Sequence, residues 1–369
     1  LAPGGVLLLL LCGCSGARAP AVPQQTYAFV SNGKSDTVSV IDVAALRVVA
    51  TVPVGRGPAG LRVHPTRPEV YVVASDANEV VVLDARHHRV EARIIVGARP
   101  FFIDFSPDGR EAFVTNSASN TVSIIDCAAR RVVATVEVGE RPGLARVSPS
   151  GALVVVSNRG DSTLSVINRR ERTVVAAIPV ARHPELVVIL PDGSKAFVTA
   201  SGAAQVSVVD LKRAVLLAHI PVGETPTDLA VKPDGGELFA VNFGSHGITV
   251  INAWSNDAVE TLPTGENPAR ALLSRDGQRL YVANFGSNSI FVIEVETRKL
   301  LATIRVGAQP DALALTPDET VLLVGHAQSN DVAVVDTTSY TLVTLIPVGR
   351  APRAVEVVQL PLPAPLRTP

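Results

Sequence analysis

A Gly or Ala followed three residues later by Pro returns at a fixed interval of 42 residues, and no other feature restricts the fold of this chain as strongly. The glycine slot falls at Gly55, Gly97, Gly139, Ala181, Gly223, Gly265, Gly307 and Gly349, with the proline slot at Pro58, Pro100, Pro142, Pro184, Pro226, Pro268, Pro310 and Pro352. A second marker keeps step at Asp42, Asp84, Asp126, Asn168, Asp210, Asn252, Glu294 and Asp336. A period near 42 filled with short β segments is the pattern of a propeller blade. The apolar residues, 47% of the chain, are mostly Val, Ile, Leu and Ala, and only 4% of residues are aromatic, which suits sheets packed on sheets.

Each unit reads as four strands. In the unit beginning at Gly97 they fall at 101–105, 111–115, 121–125 and 131–138, separated by a Ser-Pro-Asp-Gly turn, a loop and a second turn. The residues before Gly55 supply only second, third and fourth strands (27–30, 37–41, 47–54), and those after Gly349 only a first strand, 353–358. Together they make one more blade. The expectation is an all-β, eight-bladed β-propeller spanning 27–358, with one four-stranded blade closed by both termini and no free edge left open.

The ends differ in character. Residues 6–11 form a short apolar run followed by Leu11-Cys12-Gly13-Cys14, which resembles a bacterial lipobox. This predicts a signal peptide over 1–14 with a truncated start, lipidation at Cys14, a tether over 15–26, and a periplasmic or cell-surface location on a lipid anchor. The alternative is an ordinary signal peptide cut near Ala19. The Pro-rich residues 359–369 are expected to be a disordered tail. Cys127 is the one cysteine inside the repeats, so the ring can hold no internal disulfide.

The second strands Ala112-Phe113-Val114-Thr115-Asn116, Phe239-Ala240-Val241-Asn242 and Tyr281-Val282-Ala283-Asn284, with the Asn120–Asp126 segment and the Ser-Pro-Asp-Gly turns, resemble the YVTN-type β-propeller repeat family. The resemblance covers nearly the whole repeat region and implies a secreted or surface propeller of bacteria or archaea. Distant fold relatives include lactonase-type propellers and the haem-d1 domain of nitrite reductase. Rings of the family commonly have seven blades, whereas eight are counted here, and no family catalytic residue carries over.

In a propeller the loop entering the first strand and the loop between the second and third share one face, the usual ligand side. Around that face the first loops carry Arg350 and Arg353, then Arg56, Arg99, Arg141, and Arg182 with His183, while the other, mostly acidic arc carries Glu224 and Asp228, Glu266 with Arg270, and Asp311. This predicts a dipolar face whose basic arc binds an anionic partner, an envelope protein or a glycan. In the innermost strands Glu356, Arg62, Asp104 and Arg146 alternate in sign across four neighbouring blades, and Asp228 and Arg270 make a further adjacent pair. Charges so placed must be paired, so a channel ion-pair ladder is expected, with a polar binding pocket as the rival reading.

The formal net charge of −1 gives no general pull towards nucleic acid, and contact with a membrane is expected through the lipid anchor alone. The seven histidines are scattered along the sequence, so neither a metal nor any other cofactor is expected. No nucleophile elbow, zincin or phosphate-loop motif is present. The reading that follows is a monomeric, non-catalytic binding propeller of the cell envelope. Its alternatives are a lactonase-type hydrolase and a propeller holding a redox cofactor such as haem d1.

Overall fold

The computed structural model describes residues 24–362, so the leader, Cys14 and the last part of the tail lie outside the described residues. Within them the chain forms eight antiparallel sheets of four strands each, arranged as an eight-bladed β-propeller. In the third blade the strands are Pro100–Phe105, Glu111–Asn116, Thr121–Asp126 and Arg131–Glu137, hydrogen-bonded in sequence order. The blades are numbered here from the one that both termini share.

Blade one joins Pro352–Pro361 to Gln24–Asn32, followed by Thr37–Asp42 and Arg47–Pro53. Its register sets Tyr27 opposite Val358 and Phe29 opposite Glu356, so the closure predicted from strand counting is present. Pairing continues further than the sequence suggests, to Gln24 opposite Pro361. Residues 24–26 are therefore strand rather than tether, and 359–361 strand rather than tail, because each end satisfies the other's backbone groups.

The position of a strand within its blade explains its sequence. Second and third strands are buried along almost their whole length, as in Val122–Ile125, since a neighbouring blade covers each face. Outermost strands such as Arg131–Glu137 are largely exposed or half-buried, with one fully buried position, Val136. The apolar core is divided into eight clusters, each lying between two consecutive blades. One packs Phe113, Val122 and Ile124 of blade three against Val154, Val156 and Ile167 of blade four. Another packs Val30 and Ile41 of blade one against Leu323 and Val334 of blade eight, so the ring closes through its core as well as its hydrogen bonds. Each fully buried side chain of this size contributes about 1.5–3 kcal/mol.

Both faces carry polar links between blades. On the loop face, the residue preceding each proline adopts a left-handed conformation, with φ of 63° at Gly57, 49° at Arg99 and 50° at Arg141. In six of the eight blades its N–H donates to a side chain of the preceding blade, among them Gly57 to Asp36 (2.9 Å), Arg99 to Asn78 (2.8 Å), Arg141 to Asn120 (2.9 Å) and Asn267 to His246 Nδ1 (2.9 Å). On the opposite face, a turn of one blade reaches the second strand of the blade before it. Arg130 donates to Glu69 (2.9 Å), Arg172 to Glu111 (3.1 Å) and Arg298 to Glu237 (2.6 Å). At the same place in the repeat, blades one and two use an edge contact of Tyr27 with His88, ring centroids 4.6 Å apart.

Candidate functional site

The innermost strands surround a channel whose loop-face end opens into a cavity of about 610 Å³. Both charged sets singled out in the sequence reach it, since Arg62, Arg146, Asp228, Arg270, Arg353 and Glu356 line its wall. Four of the charged residues follow one another across neighbouring blades. Arg62 donates to Glu356 at 3.0 Å and lies 3.7 Å from Asp104, which in turn lies 4.0 Å from Arg146. Phe102 lies between the two cations, its ring centroid 5.9 Å from the Arg62 guanidinium and 4.8 Å from that of Arg146.

The other expected pair does not form. Arg270 turns instead to Asp311, donating to its backbone carbonyl at 3.2 Å with the carboxylate 3.9 Å away. Asp228 accepts from the N–H groups of Leu229 and Ala271, both at 3.0 Å. The reason is reach: aspartate is short, and the first strand of the next blade offers an unpaired edge N–H closer than the Arg270 head group. Asp104 does the same, accepting from Val147 N–H at 3.0 Å.

These environments shift the titrating groups in different directions. Burial works against the charge of Arg62, yet Glu356 and Asp104 hold its pKa above the usual arginine value. Arg146 goes the other way: burial first, then repulsion from Arg62, pull it down to about 10. Burial also raises the Asp311 carboxyl, against the pull of Arg270 and Arg353.

All seven residues of the expected basic arc are exposed. Arg99 pairs with Asp76 at 3.2 Å, and Arg56 donates to the Asp76 carbonyl at 3.3 Å. Arg182 and Arg350 donate to the carbonyls of Gly202 (2.8 Å) and Lys34 (3.1 Å). His183 lies in the same loop as Arg182, its carbonyl accepting from Ser201. Arg141 and Arg353 make no side-chain hydrogen bond or ion pair among the described residues. Arg99 and Arg141 meet across a recess of about 480 Å³ that also contains Ser75, Phe101 and Ser117. Reading the first loops alone missed Asp36 and Asp76, which belong to the loops between second and third strands and temper the arc. Counting those loops in the same register would have found them.

The histidines serve the frame. His64 Nε2–H donates to the Gly109 carbonyl at 2.8 Å while its Nδ1 accepts from Thr66 and Arg67 N–H groups. His326 is fully buried, and its Nδ1 lies 2.6 Å from Asp331. Among the described residues no group of three or more His, Cys, Asp or Glu is placed to hold a metal ion. Cys127 is buried and its thiol pushed up to about 11, chiefly by that burial, so it stays protonated and unreactive at neutral pH.

In sequence, the family described as Lactonase, 7-bladed beta-propeller matches residues 181–357, which cover blades five to eight and run into the strand that closes blade one. No curated protein matches. Among solved structures, the dihydro-haem d1 dehydrogenase NirN in complex with DHE superposes with a TM-score of 0.78 at 18% identity, over 89% of this chain and 74% of that one. Apo AztD from Citrobacter koseri gives 0.70 at 15% identity, over 91% and 98% of the two chains. Hydrazine synthase from Kuenenia stuttgartiensis gives 0.63 at 20%, over 76% and 95%. At such identities the likeness is one of fold. The chain is similar to lactonase-type and haem-d1-type propellers at that level.

Proposed function

We propose that this protein is a non-catalytic binding propeller that takes an anionic polysaccharide on the basic arc of its loop face. The observation that carries the reading is the recess between Arg99 and Arg141. It combines exposed cations with the hydroxyls of Ser75 and Ser117, a mixture suited to sugar carboxylates and sugar hydroxyls together. Arg141 has no competing ion pair there, and Arg56, Arg182 and Arg350 extend the same sign along neighbouring blades. Each exposed arginine contributes little alone. Their summed field concentrates a polyanion at the face, and salt weakens it.

The test replaces Arg56, Arg99 and Arg141 together by Ser and measures binding of polygalacturonate across a salt series, with polyglutamate as the acidic-polypeptide comparison. We expect the triple variant to lose roughly tenfold or more in affinity, about 1.4 kcal/mol, and to show a shallower salt dependence. Unchanged affinity would remove the arc from the function. Stronger binding of polyglutamate than of polygalacturonate would replace the glycan by an acidic protein surface.

A lactonase-type hydrolase is the second reading, favoured by the family match over residues 181–357. It would place chemistry at Asp311, whose burial-raised carboxyl faces the channel beside Arg270. Lactone hydrolysis that disappears in Asp311→Asn and persists in the triple arginine variant would establish it over the first.

A further inference from the structure

Arg146 is the one channel arginine on the ladder that is held without being satisfied. A guanidinium offers five N–H donors in a planar fork, and buried donors without partners are costly. Arg62 donates to Glu356, and Arg270 donates to the Asp311 carbonyl. The Arg146 side chain makes no hydrogen bond among the described residues: its Nη1 is buried without a partner, while the side chain as a whole keeps 22% exposure and lines the cavity. The nearest carboxylate, Asp104, stays at 4.0 Å because one of its oxygens is committed to Val147 N–H and the other is shared with Arg62. Stacking on Phe102 fixes the guanidinium plane, so the fork cannot swing away to find another acceptor.

The same cavity has an apolar side. Phe101, Leu144 and Leu186 line both the channel cavity and the smaller recess that continues from it, of about 340 Å³. Phe101 is 41% exposed there, unusually open for an aromatic side chain next to a channel. A cavity of this volume suits a small organic molecule, and a fixed fork without a hydrogen-bond partner beside apolar walls defines its two ends.

We propose that the channel mouth binds a small organic carboxylate, whose oxygens accept from the Arg146 guanidinium and whose apolar body lies against Phe101, Leu144 and Leu186. A carboxylate matches the arginine fork in a way that a single hydroxyl does not. The site adjoins the rim recess of Arg99 and Arg141 and shares Ser75, Arg99 and Phe101 with it, but its anchor Arg146 lines the channel cavity and not the recess, so the Arg146 variants test it apart from the polysaccharide reading. Asp228 on the same wall distinguishes two forms of ligand: a plain carboxylate, and an amino acid whose ammonium group faces that carboxylate.

The probe is phenylacetate, titrated calorimetrically into the full chain, with benzyl alcohol as the uncharged control and phenylalanine as the amino-acid form. We expect saturable one-to-one binding of phenylacetate or phenylalanine in the millimolar range or tighter, at least tenfold weaker for benzyl alcohol. Tighter phenylalanine assigns the second contact to Asp228; tighter phenylacetate assigns the plain carboxylate. Arg146→Gln should weaken the preferred acid at least tenfold, and Arg146→Lys should restore part of the loss, since lysine supplies the charge without the fork. Absence of saturation with both acids, or equal binding of benzyl alcohol by the unaltered protein, overturns the proposal without recourse to any variant. So does an Arg146→Gln protein that melts as the parent does and binds the acid equally well.

Discussion

A methyl group added at Gly97 would lie 2.6 Å from Cγ of Asn116 and 2.5 Å from Oγ of Ser119, closer than atoms can pack. The glycine of the repeat is thus dictated at this position by a close approach. Asn116 is fully buried and donates to Thr121 (3.0 Å) and Ser123 (2.9 Å), which closes the loop as its recurrence in the sequence suggests. The coupling explains the exception in the series. At Ala181 the slot holds a methyl group, and the residue that would collide with it is Ala200 rather than Asn. Both substitutions were visible in the sequence, but only the contact shows that one permits the other. We predict that Gly97→Ala destabilises the ring by about 1–3 kcal/mol through overpacking. Combining it with Asn116→Ala should cost less than the sum of the two by about 1 kcal/mol in a urea-denaturation cycle. Additive losses would contradict this coupling.

Within a blade, the turn joining first and second strands repeats one electrostatic device. In the third blade, Asp108 accepts from Ser106 (2.6 Å) and from Arg110 N–H (3.1 Å), and Gly109 supplies the left-handed φ of 66°. The hydroxyl of Ser106, then the other donors, hold the Asp108 carboxyl down at about 2. Asp276 and Asp318 are lowered chiefly by Ser274 and Thr316, and Asp192 and Asp234 chiefly by the N–H groups of Ser194 and Gly236. Because each folded value lies below the unfolded one, their stabilisation is complete above the unfolded carboxyl range, near pH 4, and is lost as pH falls towards the folded values. The melting temperature should therefore hold from pH 7 to about pH 5 and drop steeply between about pH 4 and 2. A flat profile across that acid interval would show that the turn carboxylates contribute nothing. These turns were legible because Ser-Pro-Asp-Gly has one mechanism. The partner of Arg270 was not, because a strand sequence does not reveal which backbone N–H at the edge of the next blade comes within reach of an aspartate.

At the scale of the ring, repeat arithmetic was sufficient for eight blades and their closure, since each strand must be paired and only one arrangement pairs all of them. The extra pairing of 24–26 with 359–361 escaped it, because those residues fall outside the repeat pattern. Charge was harder to read than topology. The basic arc was found by collecting one loop per blade, yet the field at the surface is a sum over two loops, and Asp76 belongs to the second. The central claim, that the loop face with its channel mouth is the binding face, is most directly tested by hydrogen–deuterium exchange of the full chain with and without saturating polygalacturonate. The account predicts slowed exchange in the loops at 55–60, 97–102 and 139–144, with no change in the opposite-face turns at 107–110 and 127–130. Protection confined to those turns, or to the outermost strands, would contradict it.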